Sequence, residues 1–147
     1  VNLTDQIAKP PPAGLFQLVT DHWTEPFWNA AREHILTAAR CASCNSYRMP
    51  PTPFCPHCLS QKIEWPTLSG IGVIYSYTVV SRPISPEMEA SIPYVPALVS
   101  LPDANYVRLI TNIVDAPLRK IKIGAKVEVV WTDMPEGNVV PRFKILG

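Results

Sequence analysis

The segment that decides the fold is Cys41-Ala-Ser-Cys44, followed after ten residues by Cys55-Pro-His-Cys58. These two motifs contain all four cysteines of the chain. Each CxxC turn brings two thiolates within reach of one ion, and the intervening excursion lets the second turn fold back to complete a tetrahedron. The pattern predicts a zinc ribbon. Because four thiolates leave no coordination position for water, the Zn²⁺ is predicted to be a structural cofactor.

Three alternatives involve the same residues. Two disulfides would also use four cysteines, but nothing else in the sequence indicates secretion, so zinc is favoured. His57 could be a metal ligand, although with four cysteines present it is predicted to be a surface residue. A redox role is disfavoured because a thioredoxin-like CxxC begins a helix in a βαβ setting, which the sequence lacks.

Upstream of the cysteines the sequence predicts one helix, from Thr24 to about His34. The Thr24 hydroxyl is suited to cap the first turn, and Glu25 and Pro26 are suited to the positions that follow. The apolar residues of this segment gather on one side, which predicts packing against another element; they are Phe27, Trp28, Ala31 and Ile35. Residues 1–21 include the stiff run Lys9-Pro-Pro-Pro-Ala-Gly14 and are predicted to be an extended linker that resists collapse onto its neighbours.

Downstream of the cysteines the apolar residues alternate with period two. Five strands rich in β-branched and aromatic residues are predicted, at 72–80, 95–101, 106–114, 126–132 and 139–145. Residues 102–105 predict a tight hairpin connection, whereas the long connection 81–94 is compatible with either a functional or a disordered loop. Five short strands close most economically into an OB-fold barrel. The predicted fold is therefore mainly β, with an N-terminal helix and zinc ribbon (22–66) followed by a five-stranded OB-fold barrel (67–147).

Composition sets broad limits on function. A hydrophobic fraction of 47% in 147 residues indicates a folded chain. The net charge of +1 gives no general attraction to nucleic acid or to anionic membranes. The sequence contains neither an apolar run of about 18 residues nor the features of a secretory signal. A cytoplasmic location is therefore expected.

Shorter motifs accompany the cysteines in a set order along the chain. They are Pro26-Phe27-Trp28, Pro50-Pro51, Ser60, Trp65, Ser69-Gly70-x-Gly72, Pro93-Tyr94, Arg108-Leu109, Ile123-Gly124 and Pro141-x-Phe143. In this combination the chain resembles an acyl-CoA-associated family that joins a rubredoxin-like zinc ribbon to an OB-fold, over about residues 22–146. Two departures are Asn45, where the family often has Gly, and Asp103-Ala104-Asn105 in place of an acidic-Gly hairpin. Since Asn tolerates left-handed backbone, the first cysteine turn is predicted to survive.

The resemblance implies a scaffold rather than an enzyme. Members of the family occur beside thiolase-like enzymes and 3-hydroxy-3-methylglutaryl-CoA synthases, and also as an extra domain on a MaoC-like enoyl-CoA hydratase. The fused form occurs in bacterial sterol side-chain degradation, where it binds a thiolase-like aldolase that cleaves the hydrated CoA thioester. The chain resembles this form most. The resemblance therefore implies a non-catalytic module that binds and stabilises a thiolase-like aldolase or thiolase and assists acyl-CoA binding.

Two other classes of function compete with this interpretation. An independent enzyme is disfavoured because the chain has no GxSxG elbow and no P-loop, and Gly70-Ile-Gly72 lacks the third glycine of a dinucleotide site. Single-stranded nucleic-acid binding is the alternative, because zinc ribbons and OB-folds both serve it. The aromatics that could stack on bases are Tyr75, Tyr77, Tyr106 and Trp131. Alternating strand aromatics are, however, more typical of a barrel core, and the near-neutral chain lacks a broad positive groove.

A protein-binding module would use the remaining features. One concentrated cationic patch is a candidate for contact with CoA phosphates or an acidic partner, or else is a solvated hairpin; it consists of Arg119, Lys120, Lys122 and Lys126. Phe27 and Trp28 are candidate anchors for a partner, since aromatic residues dominate interface energies, although packing against the chain's own barrel competes with that role.

Overall fold

The computed structural model describes residues 2–15 and 17–147 as mainly β structure, which confirms the predicted fold class. Val1 and Phe16, which belong to the predicted 1–21 linker, lie outside the described residues. The elements in chain order are α1 (Glu25–Arg32), β1 (Ala39–Cys41), β2 (Tyr47–Arg48), β3 (Ile63–Glu64), β4 (Ile71–Tyr77), β5 (Val95–Leu101), β6 (Val107–Ile113), β7 (Lys126–Asp133) and β8 (Val139–Ile145). None of the helices in the described ranges combines the length and apolar character that a bilayer-spanning segment requires.

The five C-terminal strands close into a barrel with the neighbour order β4-β5-β6-β8-β7. This is the Greek-key order of an OB-fold, so the predicted barrel is confirmed. Its interior is filled by the inward side chains of all five strands, among which Phe143, Ile74 and Val127 are almost completely buried. The predicted hairpin at 102–105 is also present, as a short 3-10 turn (Pro102–Ala104) that ends on Asn105 in left-handed conformation.

The barrel closes at a short parallel seam between β6 and β8. Ile113 pairs with Phe143 there, and the N–H of Val114 donates to the carbonyl of Phe143 at 2.8 Å. Pro141 has no N–H to extend this ladder. Its carbonyl instead accepts a hydrogen bond of 3.0 Å from the buried hydroxyl of Thr111. A side chain of β6 thus adds a hydrogen bond to β8 beyond the short backbone ladder.

The ribbon is a three-stranded sheet in the order β2-β1-β3, preceded by α1. The helix begins at Glu25 with Thr24 at its N-cap position, as predicted, but it ends at Arg32, before the predicted His34. Thr24 has helical backbone angles and makes no capping bond; instead, its N–H donates to the Asp21 carboxylate at 2.9 Å, because a turn precedes the helix. The helix stops at Arg32 because His34 adopts left-handed backbone, with φ of 60°.

The N-terminal segment lies against the barrel instead of standing clear of it. The N–H of Ala8 donates to the carbonyl of Ala116, and the N–H of Asp115 donates to the carbonyl of Ala8, both at 2.9 Å. Ala8 is fully buried, and Asp5 forms a 3.0 Å salt bridge with Arg119. The linker prediction missed this docking because a stiff proline run indicates extension but not what the extended chain pairs with. The division at residues 21 and 66 stays a prediction.

One further feature differs from the sequence expectations. The strand tyrosines are not barrel core, because Tyr75, Tyr77 and Tyr106 are 47%, 37% and 64% exposed. The long connection 81–94 contains a 3-10 turn (Pro86–Ser91) whose Met88 is buried, so this loop packs on the protein.

The crowding at Gly72 gives a test of barrel closure. A Cβ there would lie 2.3 Å from Cγ1 of Val99 and 3.2 Å from the carbonyl oxygen of Ser100. Gly72→Ala is therefore expected to lower the free energy of unfolding by about 1–3 kcal/mol, the usual cost of overpacking. Thermal and urea unfolding measure this change. Gly14→Ala is the matched control, since nothing lies within 4 Å of a Cβ at Gly14; equal stability of the two variants would contradict the packing.

Candidate functional site

The two CxxC turns have the same backbone design. The N–H of Asn45 donates to the carbonyl of Cys41, and the N–H of Leu59 donates to the carbonyl of Cys55, each at 2.9 Å. Both turns need left-handed backbone at the fifth position, where Asn45 and Leu59 each have φ of 64°. The survival of the first turn with Asn45 is as predicted. The equivalent strain at Leu59 was missed, because leucine carries no sequence signal for this conformation.

The turns bring the four sulfurs together at one point. All four lie within 4.8 Å of one another, with Cys41 Sγ 3.5 Å from Cys58 Sγ and Cys44 Sγ 3.6 Å from Cys55 Sγ. A tetrahedral Zn²⁺ with Zn–S bonds of about 2.3 Å separates its sulfurs by about 3.8 Å, so the four positions fit zinc. Cys41 and Cys55 are buried, whereas Cys44 and Cys58 face solvent. The protein therefore holds a structural zinc site, as predicted.

The electrostatics of the sulfurs require a cation. The Ser46 hydroxyl, 3.3 Å from Cys55 Sγ, together with backbone N–H groups lowers the pKa of Cys55 to about 5. At Cys58 the backbone N–H of Ser60 lowers the pKa, but contacts with the other three sulfurs outweigh it and raise the pKa to about 12. Four adjacent thiolates cannot all be charged without a positive ion among them, and a divalent metal supplies that charge.

His57 is exposed and is not among the four ligands that meet at the centre, as predicted. The other two histidines contact aromatic rings. His22 lies edge-on to Trp23 at 5.3 Å, and His34 stacks on Trp131 at 5.6 Å with an interplanar angle of 4°.

A second site is an apolar groove where α1, the ribbon and the barrel meet. We call it the ribbon–barrel groove; its volume is 360 Å³, and it is lined chiefly by Phe27, Trp28, Pro51, Leu109, Ile110 and Pro141. Phe27 is 5% exposed and belongs to the core, whereas Trp28 is half-buried. Of the two predicted anchors, Trp28 therefore has the more accessible surface.

The four predicted cationic residues all lie on the surface, between the end of β6 and the start of β7. Arg119 and Lys120 belong to a 3-10 turn (Leu118–Lys120), and Arg119 is engaged by Asp5. Lys122 precedes the glycine turn at 124, and Lys126 opens β7. Their contact with CoA or with a partner stays a prediction.

The fold and the four-sulfur centre define a class of protein in which a structural zinc ribbon is joined to an OB-fold barrel. Comparison with known families agrees with this class. Residues 28–64 match the model described as "ChsH2, rubredoxin-like zinc ribbon domain", and residues 65–132 match "ChsH2, C-terminal OB-fold domain".

Several known proteins are similar to this chain. A "DUF35 domain-containing scaffold protein" of Methanothermobacter thermautotrophicus is 35% identical over 69% of this chain and 74% of its own length. The chain therefore belongs to the DUF35 family. The predicted resemblance to a family that joins a zinc ribbon to an OB-fold is confirmed. A "Probable enoyl-CoA hydratase alpha subunit" of Thermomonospora curvata is 40% identical over 80% of this chain. The "3-oxo-4,17-pregnadiene-20-carboxyl-CoA hydratase alpha subunit" of Mycobacterium tuberculosis is 31% identical over 77% of it.

The chain spans only about a third of those two hydratase subunits, at 36% and 35% of their lengths. A solved structure described as "Ltp2-ChsH2(DUF35) aldolase" matches with a TM-score of 0.78 and 35% identity, over 88% of this chain and 98% of the matched chain. The likeness therefore covers the ribbon and the barrel together.

Removal of one sulfur tests the zinc site. The wild-type chain is expected to contain one zinc ion, and Cys55→Ser is expected to lose most of it and to melt at a lower temperature, because zinc binding contributes folding energy. Elemental analysis and thermal unfolding measure the two effects. His57 lies between two ligands in sequence, so His57→Ala is the matched control and is expected to retain full zinc content. Loss of zinc in this control, or retention of zinc in Cys55→Ser, would contradict the assigned ligands.

The strained backbone at Leu59 gives a second test of the ribbon. Leu59 is 72% exposed, so its side chain has little packing to lose. Leu59→Asn is expected to raise the free energy of unfolding by about 0.5–1 kcal/mol, because left-handed backbone costs most non-glycine residues about 1–2 kcal/mol. Asn45→Leu is the mirror-image control and is expected to be destabilising. Chemical denaturation measures both; a stabilising Asn45→Leu would disprove the argument.

Proposed function

We propose that this chain is a non-catalytic accessory module that binds and stabilises a thiolase-like acyl-CoA enzyme. The observation that carries the proposal is the likeness to the chain of the Ltp2-ChsH2(DUF35) aldolase structure, which extends over 98% of that chain. The scaffold naming of the Methanothermobacter relative supports the same role. In this proposal the chemical step belongs to the partner, and the module supplies a rigid surface.

The connection between ribbon and barrel suits such a role. The N–H of Leu68 donates to the carbonyl of Leu36 at 2.8 Å, and Thr37 forms a bridge with Thr67. Farther out, Nη2 of Arg32 donates to Oδ1 of Asn138 at 2.9 Å. The helix and the segment that leads from it into the ribbon are thus fixed to the barrel at separate points. A rigid platform binds a partner without the entropic cost of ordering two mobile units.

We further propose that the partner is the aldolase of sterol side-chain degradation. The hydratase alpha subunit of Mycobacterium tuberculosis, named for a pregnadiene carboxyl-CoA substrate, supports this choice. The cationic patch is proposed to assist acyl-CoA binding through CoA phosphates. A cytoplasmic location is proposed as well, because a reducing compartment keeps the zinc-site cysteines as thiolates.

Single-stranded nucleic-acid binding is the alternative, favoured by the exposure of Tyr75 and Tyr106. Base stacking needs such rings, but it also needs a positive groove that follows the backbone of the strand. The ribbon–barrel groove has a single charged residue, Arg108, among its lining residues. The observations therefore favour a protein partner.

Co-purification tests the proposed function. The tagged chain, expressed with the thiolase-like acyl-CoA enzyme of its native host, is expected to retain that enzyme and to increase its soluble yield and activity. Cys55→Ser, which disrupts the ribbon, is expected to retain much less. If the enzyme is equally soluble, equally active and equally able to bind CoA without this chain, the scaffold role is wrong. Salt-sensitive binding of single-stranded DNA or RNA by the isolated chain would instead favour the alternative.

A further inference from the structure

The ribbon–barrel groove continues into a second apolar depression on the outside of the barrel. The two share Leu98 and Ile110. The sheet register explains this continuity, since Leu98 of β5 lies directly opposite Ile110 of β6, and Ser76 of β4 lies opposite Leu98 on the other side. Tyr77 lines the far end. We call this continuation the outer strip; it is defined by Tyr77, Leu98 and Ile110.

The outer strip exposes apolar side chains that are not part of the barrel core. Ile110 is 80% exposed although it sits in the middle of a strand, and Tyr77 is 37% exposed. Solvent-exposed strand positions in a soluble barrel are ordinarily polar. A contiguous apolar surface of this kind, continued by the groove, marks an interaction site.

Arg108 is the one charged residue among those that line the groove and the strip in the described part of the chain. Its guanidinium lies 3.7 Å from the centre of the Tyr75 ring. The register of β4 against β5 shifts between Ile74 and Ser76, so Tyr75 is the extra residue of a β-bulge, a feature that re-aims a side chain.

Stacking on Tyr75 fixes the position of the Arg108 guanidinium but leaves its N–H donors accessible. The ring of Tyr75 covers a face of the group, whereas the N–H donors of arginine lie in the guanidinium plane and can still form a forked bond to a carboxylate. Within residues 2–15 and 17–147, the salt bridges involve Arg40, Arg119 and Lys144, and Arg108 takes part in none of them. Arg108 is thus a positioned cation that forms no salt bridge with the described residues.

We propose that the groove and the outer strip are the surface on which the protein partner docks, and that the partner inserts an apolar segment bearing a carboxylate that pairs with Arg108. This inference rests on the proposed function and names the contact surface for it. The apolar walls suit large side chains, and the single fixed arginine suits one acidic group. Aromatic residues and arginine are the types that dominate interface energies.

Charge also argues against a second copy of this chain as the occupant. A two-fold interface places the same patch against itself. Among the described residues, those that line the groove and the strip include Arg108 and no acidic residue. Self-association would therefore bring two arginines to one surface without a carboxylate to pair with either, which an acidic partner segment avoids.

Point variants of the surface test the inference with the thiolase-like enzyme that the wild-type chain retains in co-purification. Ile110→Glu is expected to raise the Kd of the complex at least about 30-fold, the effect typical of a central interface residue. Arg108→Gln is expected to raise it about tenfold and to weaken its salt dependence, because a charge-assisted hydrogen bond is lost. Arg108→Lys is expected to fall between wild type and Arg108→Gln, since lysine keeps the charge but cannot form the forked bond.

Ile84→Glu is the matched control. Ile84 is 91% exposed and is not among the residues that line the groove or the strip, so this variant is expected to change the Kd less than about twofold. Zinc content and melting temperature, equal to those of wild type, show that each variant is folded. A photo-crosslinking residue at position 110 is expected to capture an acidic, apolar peptide of the enzyme, whereas one at position 84 is not.

The outcomes separate this inference from the proposed function. If the wild-type chain binds the enzyme but Ile110→Glu and Arg108→Gln bind it equally well, the surface is wrong and the scaffold role stands. If these variants bind the enzyme normally but lose affinity for octanoyl-CoA, the groove holds a small ligand and the docking inference is overturned. If the wild-type chain binds no thiolase-like enzyme, the proposed function fails and this inference fails with it.

Discussion

The closure of two CxxC turns around one ion is the constraint on which the remaining structure depends. The ten residues between the turns carry the loop that forms one wall of the ribbon–barrel groove. Arg48 donates to the carbonyl of Thr52 from Nε at 3.0 Å and from Nη2 at 2.9 Å, which fixes the loop from within. Since both ends of the loop are anchored at zinc ligands, loss of the metal would release this wall. A structural ion thus determines the shape of a surface to which it does not itself belong.

The barrel complements the ribbon by presenting two different faces. Its interior is a closed apolar core, sealed at the β6–β8 seam by the Thr111 hydroxyl. Its outer face beside the groove is apolar as well, around Ile110 and Tyr77. The register of β4 against β5 shifts at Tyr75, and the exposed ring of Tyr75 lies against the guanidinium of Arg108 on this outer face. The cation beside the groove is thus held by a ring at a local irregularity of the sheet.

The accuracy of the sequence predictions followed the range of the interactions involved. The zinc ligands and the Asn45 turn were predictable because spacing and local backbone preference determine them. The capping bond predicted for Thr24 was wrong, because its N–H and hydroxyl pair with the Asp21 carboxylate of the preceding turn. The tyrosines of β4 were expected inside the barrel, because period-two alternation shows which residues share a face but not which of the two faces becomes buried. Docking of Ala8 against residues 115 and 116 depends on contacts more than 100 positions apart.

By itself, therefore, the sequence determined the metal, its four ligands, the mainly β fold and the family, because each of these depends on residue types at short, fixed spacings. Only the tertiary structure decided that Phe27 lies in the core while Trp28 borders a groove, and that Leu98, Arg108 and Ile110 share a surface with the ribbon loop. The physical reason is that strand pairing and barrel closure bring distant residues together. Which face of a strand remains uncovered depends on what the rest of the chain packs against it.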